Sequence, residues 1–287
     1  MKFGIGVILY NPDKHVFSRL KLYEKVSDVL YIIDNTELEN NNCSIIANEF
    51  DNYVRQGVNS GMSTALNIIF ERGNDDGVDY LLTMDQDSDF SEVSIKKMLD
   101  FIASNDDNDI AVFCPNYRKI YIDLDGEEKF GSYAISTNEN KVVDFSMTSG
   151  SFCKMSEINK ILPLNNLFIG YVDNDICYDL ITKNKRILMV GGIGFSQRVG
   201  GKVRFSLYNK MFQIIHHNEI RYYYMTRNNL YLQKKFKGNK KIIFNLIANL
   251  FRIHINILLG EKQKIKKIKY SYEGYVDFKN GKIGKKI

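Results

Sequence analysis

Short apolar runs alternate with stretches of helical spacing through the first 115 residues. Lys2–Tyr10 reads as a strand closed by Asn11-Pro12, and Val29–Asp34 as a second closed by Asp34-Asn35. Asn52–Arg55 is a short third, Val78–Met84 a fourth that follows Gly77, and Ile110–Cys114 a fifth. Between them, Lys14–Lys25 repeats Val16, Leu20 and Tyr23 at helical spacing, and Ser63–Arg72 and Val93–Ala103 do the same. This alternation predicts a parallel sheet flanked by helices. Right-handed crossovers would then set Asp34, Gly57–Gly61 and Asp85–Asp87 along one edge.

The pattern changes after residue 115. Tyr117–Asp123 and Lys141–Phe145 read as strands around a turn at Asp125-Gly126, an antiparallel insertion. Thr148-Ser149-Gly150 leads into Ser151–Met155, with a helix near Ser156–Ile161. Phe168–Asp173 is a strand or loop that delivers a carboxylate, and Asp173–Thr182 a helix with Ile176, Leu180 and Ile181 on its core face. His216-His217 and Tyr222–Tyr224 read as part of an amphipathic helix rather than a metal site, because paired His need carboxylate or Cys company.

The most telling chemistry is Asp85-Gln86-Asp87. Two carboxylates one residue apart past a strand end can converge on one hard cation, Mg²⁺ or Mn²⁺, which shares its remaining positions with substrate phosphates. Each candidate also has a plainer reading. Asp34-Asn35 suits an ordinary turn, Gly57 and Gly61 suit positive φ, and Asp173 and Asp175 suit the start of a helix.

Bulk properties narrow the class. The 287 residues are 44% hydrophobic and 25% charged, which excludes wholesale disorder and allows one large α/β domain with an appendage. Cys43, Cys114, Cys153 and Cys177 lack metal or redox spacing and read as buried thiols of a reducing compartment. The apolar run before Asn11 is too short for a signal segment, so a cytoplasmic location is expected. Charge is uneven: residues 1–230 hold 24 basic and 31 acidic side chains, residues 231–287 hold 15 and 3. Ile242–Leu259 is apolar except for five residues, of which Asn245, Asn249, Arg252 and Asn256 share one helical face, with lysines crowding both ends. An interfacial helix on an anionic membrane fits this better than a spanning one; packing on the catalytic domain or on a second subunit, as in a homodimer, is the alternative. Few Arg and aromatic residues interleave in the tail, so nucleic acid is not expected.

Tyr10-Asn11-Pro12, Asp34-Asn35, Asn59-x-Gly61, Asp85-Gln86-Asp87-Ser88, Thr148-Ser149-Gly150, Phe168-Ile169-x-Tyr171-Val172-Asp173 and Arg227-Asn228 occur in one order. In that combination the chain resembles the family 2 glycosyltransferases of GT-A fold, within them the bacterial rhamnosyltransferase-like group, from about residue 3 to 232. The resemblance implies a Rossmann-like α/β catalytic domain over 1–203, its nucleotide-sugar half about 1–114 and its acceptor half about 115–203, with a helical, basic region over 204–287. It implies that Tyr10 and Asn11 line the nucleotide pocket, Asp34 contacts the base, and Asn59, Gly61 and Gln86 lie on the donor side. Asp85 would reach the ribose or the metal, and Asp87 would ligate the metal, Mn²⁺ or Mg²⁺. Asp173 would be the general base, with Thr148, Ser149, Gly150 and Asp175 on the acceptor side. The implied reaction is inverting transfer from dTDP-rhamnose or a UDP-hexose to a saccharide, plausibly polyprenyl-diphosphate-linked, in surface polysaccharide synthesis; a galactose, glucose or galactofuranose donor is the alternative.

Two departures stand out. Where family members often carry Arg after the base, this chain has Tyr178-Asp179. Where many carry a metal-binding His, Gln197 stands here, a weaker ligand, beside Arg198. A nucleotidyltransferase of the same fold is disfavoured, because Asn11-Pro12-Asp13 replaces its Gly-rich basic loop. A non-catalytic binding module is the reading from a different class.

Overall fold

The computed structural model describes residues 1–122, 127–133, 138–202 and 217–286. Strands β1 (Phe3–Leu9), β2 (Val29–Asp34), β3 (Tyr53–Arg55) and β4 (Tyr80–Asp85) are parallel neighbours in the order β3-β2-β1-β4. Helices α1 (Val16–Val26), α2 (Asn41–Glu49), α3 (Met62–Asp75) and α4 (Glu92–Ala103) lie among them in sequence. Leu9 pairs with Asp34 and Ile8 with Asp85, so the three strands end level and Asp34 and Asp85 emerge at one edge. Side chains alternate between two cores. Ile5, Val7 and Leu9 of β1 face α1 and α4, whereas its glycines face α3. A Cβ on Gly6 would stand 2.3 Å from the Ile69 side chain, so glycine there lets α3 close onto the sheet. Burying Ala65, Leu66, Ile69 and Phe70 along that contact contributes roughly 1.5–3 kcal/mol for each large side chain.

Beyond β4 the sheet is mixed rather than parallel. Two-residue β5 (Ser88–Asp89) pairs antiparallel with β10 (Arg186–Lys202). Strand β9 (Ser151–Lys154) runs antiparallel between β4 and β6 (Ile110–Ile122), and β6 pairs parallel with β10. The expected antiparallel insertion has a different partner: β7 (Glu128–Tyr133) pairs with β6, while β8 (Lys141–Val143) pairs with β10. The expected turn at Asp125-Gly126 lies outside the described residues. Strand β10 went unread because Gly191, Gly192 and Gly194 and its register shifts interrupt the alternation. Helix α2 did so because it buries only Cys43 and Ile46; Asn40 caps it by accepting from the Cys43 N–H at 3.0 Å. Helix α5 (Met155–Ile158) is one turn, shorter than expected, and α6 (Val172–Thr182) begins at the carboxylate-bearing loop.

Three helices complete the described chain: α7 (Glu219–Lys235), α8 (Lys240–Gly260) and α9 (Lys264–Lys279). Leu232, Phe236, Ile242 and Leu246 join the same apolar cluster as Leu167, Val172 and Ile176, so α7 and α8 share the core of the sheet domain. The expected boundary at 203/204 falls on residues outside the description. Many tail cations are tied internally: Lys235 to Asp175 and Asp179, Lys241 to Asp144, Lys266 to Glu219, and buried Lys267 to Glu261.

Candidate active site

The edge at which β1, β2 and β4 end is organised by side chains that clip strand ends together. The Gln86 amide accepts from the Tyr10 N–H and donates to the Tyr10 carbonyl, both at 2.9 Å, fixing the end of β1 to the turn after β4. Asn11 adopts φ 49° and its N–H donates to Thr36 Oγ1. Tyr10 itself is 43% exposed, a free aromatic face at the sheet's rim. Asp34 is turned inward instead. It is fully buried, and its carboxylate accepts from the Thr36 N–H at 2.8 Å and the Tyr53 hydroxyl at 2.7 Å. In this structure it shapes the end of β2, the turn role, rather than facing a base.

Asn59 and Gly61 build the neighbouring turn. Asn59 Oδ1 accepts from the Gly61 N–H, and Asn35 Nδ2 donates to the Gly61 carbonyl. Gly61 has φ 87°, and a Cβ there would collide with Phe168, whose carbonyl accepts from the Met62 N–H at 2.6 Å. This turn therefore meets the loop that leads to Asp173.

Thr148-Ser149-Gly150 joins the end of β4 to the start of α6. Gly150, at φ 88°, donates to the Thr83 carbonyl. Ser149 Oγ accepts from the Asp85 N–H at 3.1 Å and donates to Ser88 Oγ. Thr148 donates twice to Asp173 Oδ1, from its N–H at 2.8 Å and its hydroxyl at 2.7 Å. Among the described residues Asp173 Oδ2 receives no such bond. Asp175, expected on the acceptor side, is turned into the protein. It is buried and held by Asn165 Nδ2 and Lys235 Nζ, so its role is to lock α6 to α7.

Asp85, Asp87 and Asp173 feel one another. The Asp85 carboxyl is pushed up to about 7, first by burial, then by the negative charges of Asp87 and Asp173. Arg221, from the first turn of α7, pulls in the opposite sense; its own pKa is lowered by burial and supported by Asp173 and Asp85. Among the described residues no group of three or more His, Cys, Asp or Glu side chains stands close enough to hold a metal alone. Two carboxylates one residue apart whose charges oppose each other suit a hard cation that takes its other ligands from a diphosphate. Gln197 is placed as a hydrogen-bond donor, Nε2 to Asp85 Oδ2 at 3.2 Å, and so supports Asp85 rather than standing among the ligands. The side chain of Arg198 lies outside the described residues.

Arg227 and Asn228 brace the approach. Arg227 is buried beneath the rings of Tyr223 and Tyr224 and donates to the carbonyls of Leu167 and Gly284. Asn228 Nδ2 reaches the carbonyls of Leu167, Ile169 and Gly170. Sequence reasoning missed Arg221, since nothing in a lone Arg amid aromatic residues signals that a helix some fifty positions after Asp173 folds back beside it.

Comparison with known proteins agrees with this geometry. Residues 30–153 match the model of glycosyl transferase family 2, described as "Glycosyl transferase family 2". The match takes in Asp34, Asn59, Gly61, Asp85–Asp87 and Thr148–Gly150, and ends before Asp173. No curated protein matches the chain. Among solved structures, S. aureus TarS 1-349 superposes with a TM-score of 0.56 at 10% identity, covering 97% of this chain and 81% of that one. A crystal structure of S. aureus TarS gives 0.52 at 12% identity, covering 96% of this chain and 43% of the other. The chain thus has a GT-A-like fold in which residues 30–153 match glycosyl transferase family 2, and its later helices carry Asp173 and Arg221.

Proposed function

We propose that the protein is a metal-dependent, inverting glycosyltransferase that moves a sugar from a UDP- or dTDP-sugar to a saccharide hydroxyl. The reading is carried by the placement of Asp173, whose Oδ1 is fixed by Thr148 and whose Oδ2 is left to accept a proton, in the electrostatic reach of Asp85. Asp173 would take the acceptor hydroxyl's proton as that oxygen attacks the anomeric carbon. The bond from that carbon to the diphosphate oxygen breaks on the opposite face, and its electron pair leaves with the diphosphate. A bound Mn²⁺ or Mg²⁺ would supply Lewis-acid stabilisation of that leaving charge, held by Asp85 and Asp87. Asp173→Asn is expected to abolish transfer while leaving nucleotide binding intact; near-normal turnover would remove the assignment.

The tail suggests where this happens. Helix α8 is long and apolar enough to cross a membrane by length and composition, yet Ile242, Leu246, Ile253 and Ile257 are buried against its own protein. Phe244, Ile247 and Phe251 are 71%, 52% and 68% exposed along another face, with Lys237, Lys240, Lys262 and Lys264 exposed at its ends. This supports a helix lying on an anionic membrane surface, which would bring the site to a polyprenyl-diphosphate-linked acceptor. Flotation with anionic liposomes should carry the wild type and lose Phe244→Ser/Phe251→Ser; equal flotation contradicts it.

A further inference from the structure

Beside the N-terminal end of α6 lies a cavity of about 540 Å³. Its walls include Asn174 and Tyr178 of α6, Arg221 of α7, and Asn245, Asn249 and Arg252 of α8. Asn174 follows the proposed base directly in sequence. The polar stripe of α8 therefore faces a recess in the protein. Tyr10, Asp85, Asp87 and Asp173 are not among its described lining residues; Arg221 is the wall residue that feels the charges of Asp173 and Asp85.

The recess is cationic, and the charges of Asp173 and Asp85 support Arg221 without ion-pair contact. Among the described residues no carboxylate stands within ion-pair distance of Arg221, Arg252 or the nearby, half-buried Lys119; Arg252 Nη2 donates only to Asn249 Oδ1, at 3.1 Å. Asp144 is the lining's one carboxylate, and Lys241 holds it at 2.7 Å. The cations disturb one another. Burial, then the charge of Arg252, lowers the pKa of Lys119. His217, also in the wall, is pushed down to about 4 by burial first and by Arg221 next, with Lys119 and Lys267 adding to the effect against the pull of Glu261. Arg221 and Lys119 are partly out of water while Arg252 is exposed, and an anion among them would offset their repulsion. Guanidinium groups match phosphate with paired, charge-assisted hydrogen bonds, and the three Asn amides suit hydroxyls.

We propose that this cavity is the acceptor subsite, in which Arg221 and Arg252 bind a phosphate group carried by the acceptor saccharide. The proposal rests on Asp173 being the base, which fixes the side from which the acceptor arrives.

Calorimetric titration of the full chain, without nucleotide or divalent cation, tests it with glucose, inorganic phosphate, glucose 1-phosphate and farnesyl-diphosphate-linked glucose. Glucose 1-phosphate should bind at least about tenfold more tightly than glucose or phosphate alone. Arg252→Gln and Lys119→Gln should each weaken it about tenfold, the scale of a hydrogen bond to a charged group, and Arg252→Lys should weaken it less. Both replaced positions are partly or fully exposed, so folding should survive. Tighter binding of the farnesyl probe, still dependent on Arg252, identifies a lipid-linked source; affinity equal to glucose 1-phosphate identifies a soluble saccharide phosphate. No binding of any phosphate probe, affinity unchanged in Arg252→Gln, or phosphate alone binding as well as glucose 1-phosphate overturns the proposal. Arg252-dependent binding without any Asp173-dependent transfer would sink the transferase reading and keep the subsite. Asp173-dependent transfer unaffected by Arg252→Gln would do the reverse.

Discussion

Asp34 and Asp85 hang from the ends of the two parallel strands that flank β1, with Asp87 in the turn just beyond, whereas Asp173, Arg221 and Arg252 come from three helices that no sheet aligns. On the donor side the strand register does the positioning: Leu9 against Asp34 and Ile8 against Asp85 make the edge level before any side chain is considered. On the acceptor side, position depends on cross-braces such as Thr148 to Asp173, Asn228 to the 167–170 carbonyls, and Lys235 to Asp175. Backbone ladders tolerate the loss of one side chain. A brace is one or two hydrogen bonds, so acceptor-side function should be the more sensitive to single substitutions outside the reacting groups.

The largest effect expected is that of the proposed base. Asp173→Asn should lower kcat by about 10²–10⁴-fold, the usual worth of a positioned general base, with nucleotide affinity unchanged in a direct binding assay. Its brace should matter less. Thr148→Val removes the hydroxyl bond to Asp173 Oδ1 and keeps the N–H bond, so kcat should fall about tenfold, again without loss of nucleotide affinity, and Thr148→Ser should restore it. If Thr148→Val has no effect, or if it weakens the nucleotide and not turnover, the two halves are not divided as argued.

The smallest effect is a titration on the donor side. The Asp85 carboxyl, raised to about 7, keeps in the native state a proton that the unfolded chain releases near pH 4. Between those values the native state binds more protons, so the stability of the metal-free protein should fall as pH rises from about 4 to 7 and level off above that. A cation competes with that proton. Mn²⁺ should therefore raise Tm more at pH 8 than at pH 6, by about 2–6 °C if the gain is of order 1–2 kcal/mol, and Asp85→Asn should erase the difference. A metal effect independent of pH would break the link between Asp85 and the cation.

The same division governs what could be read from the chain. The four parallel strands and their helices follow from local periodicity, and the D-x-D stands out because its spacing and its strand lie within ten residues. Thr148-Ser149-Gly150 and Asp173 were legible as motifs, but not the hydrogen bonds that join them across 25 positions. The inward orientation of Asp34 and Asp175 was not legible. A carboxylate after a strand or in a first helical turn looks the same in sequence whether Tyr53 or Lys235 turns it inward or leaves it to a ligand. The polar stripe of α8 was visible as a stripe; which wall it faces depends on how α8 docks on α7, a contact set by Tyr222, Ile253 and Ile257 and by Asn229 reaching the Leu246 carbonyl.

The central claim is that Asp85 and Asp87 hold a cation that in turn holds a sugar donor's diphosphate. Melting of the full chain with UDP- and dTDP-sugars, with and without Mn²⁺, measures this most directly. The account expects at least one sugar nucleotide to raise Tm by about 5 °C at saturating ligand when Mn²⁺ is present, little change without it, and none in Asp87→Ala. Stabilisation of equal size without the cation, or retained in Asp87→Ala, would contradict it.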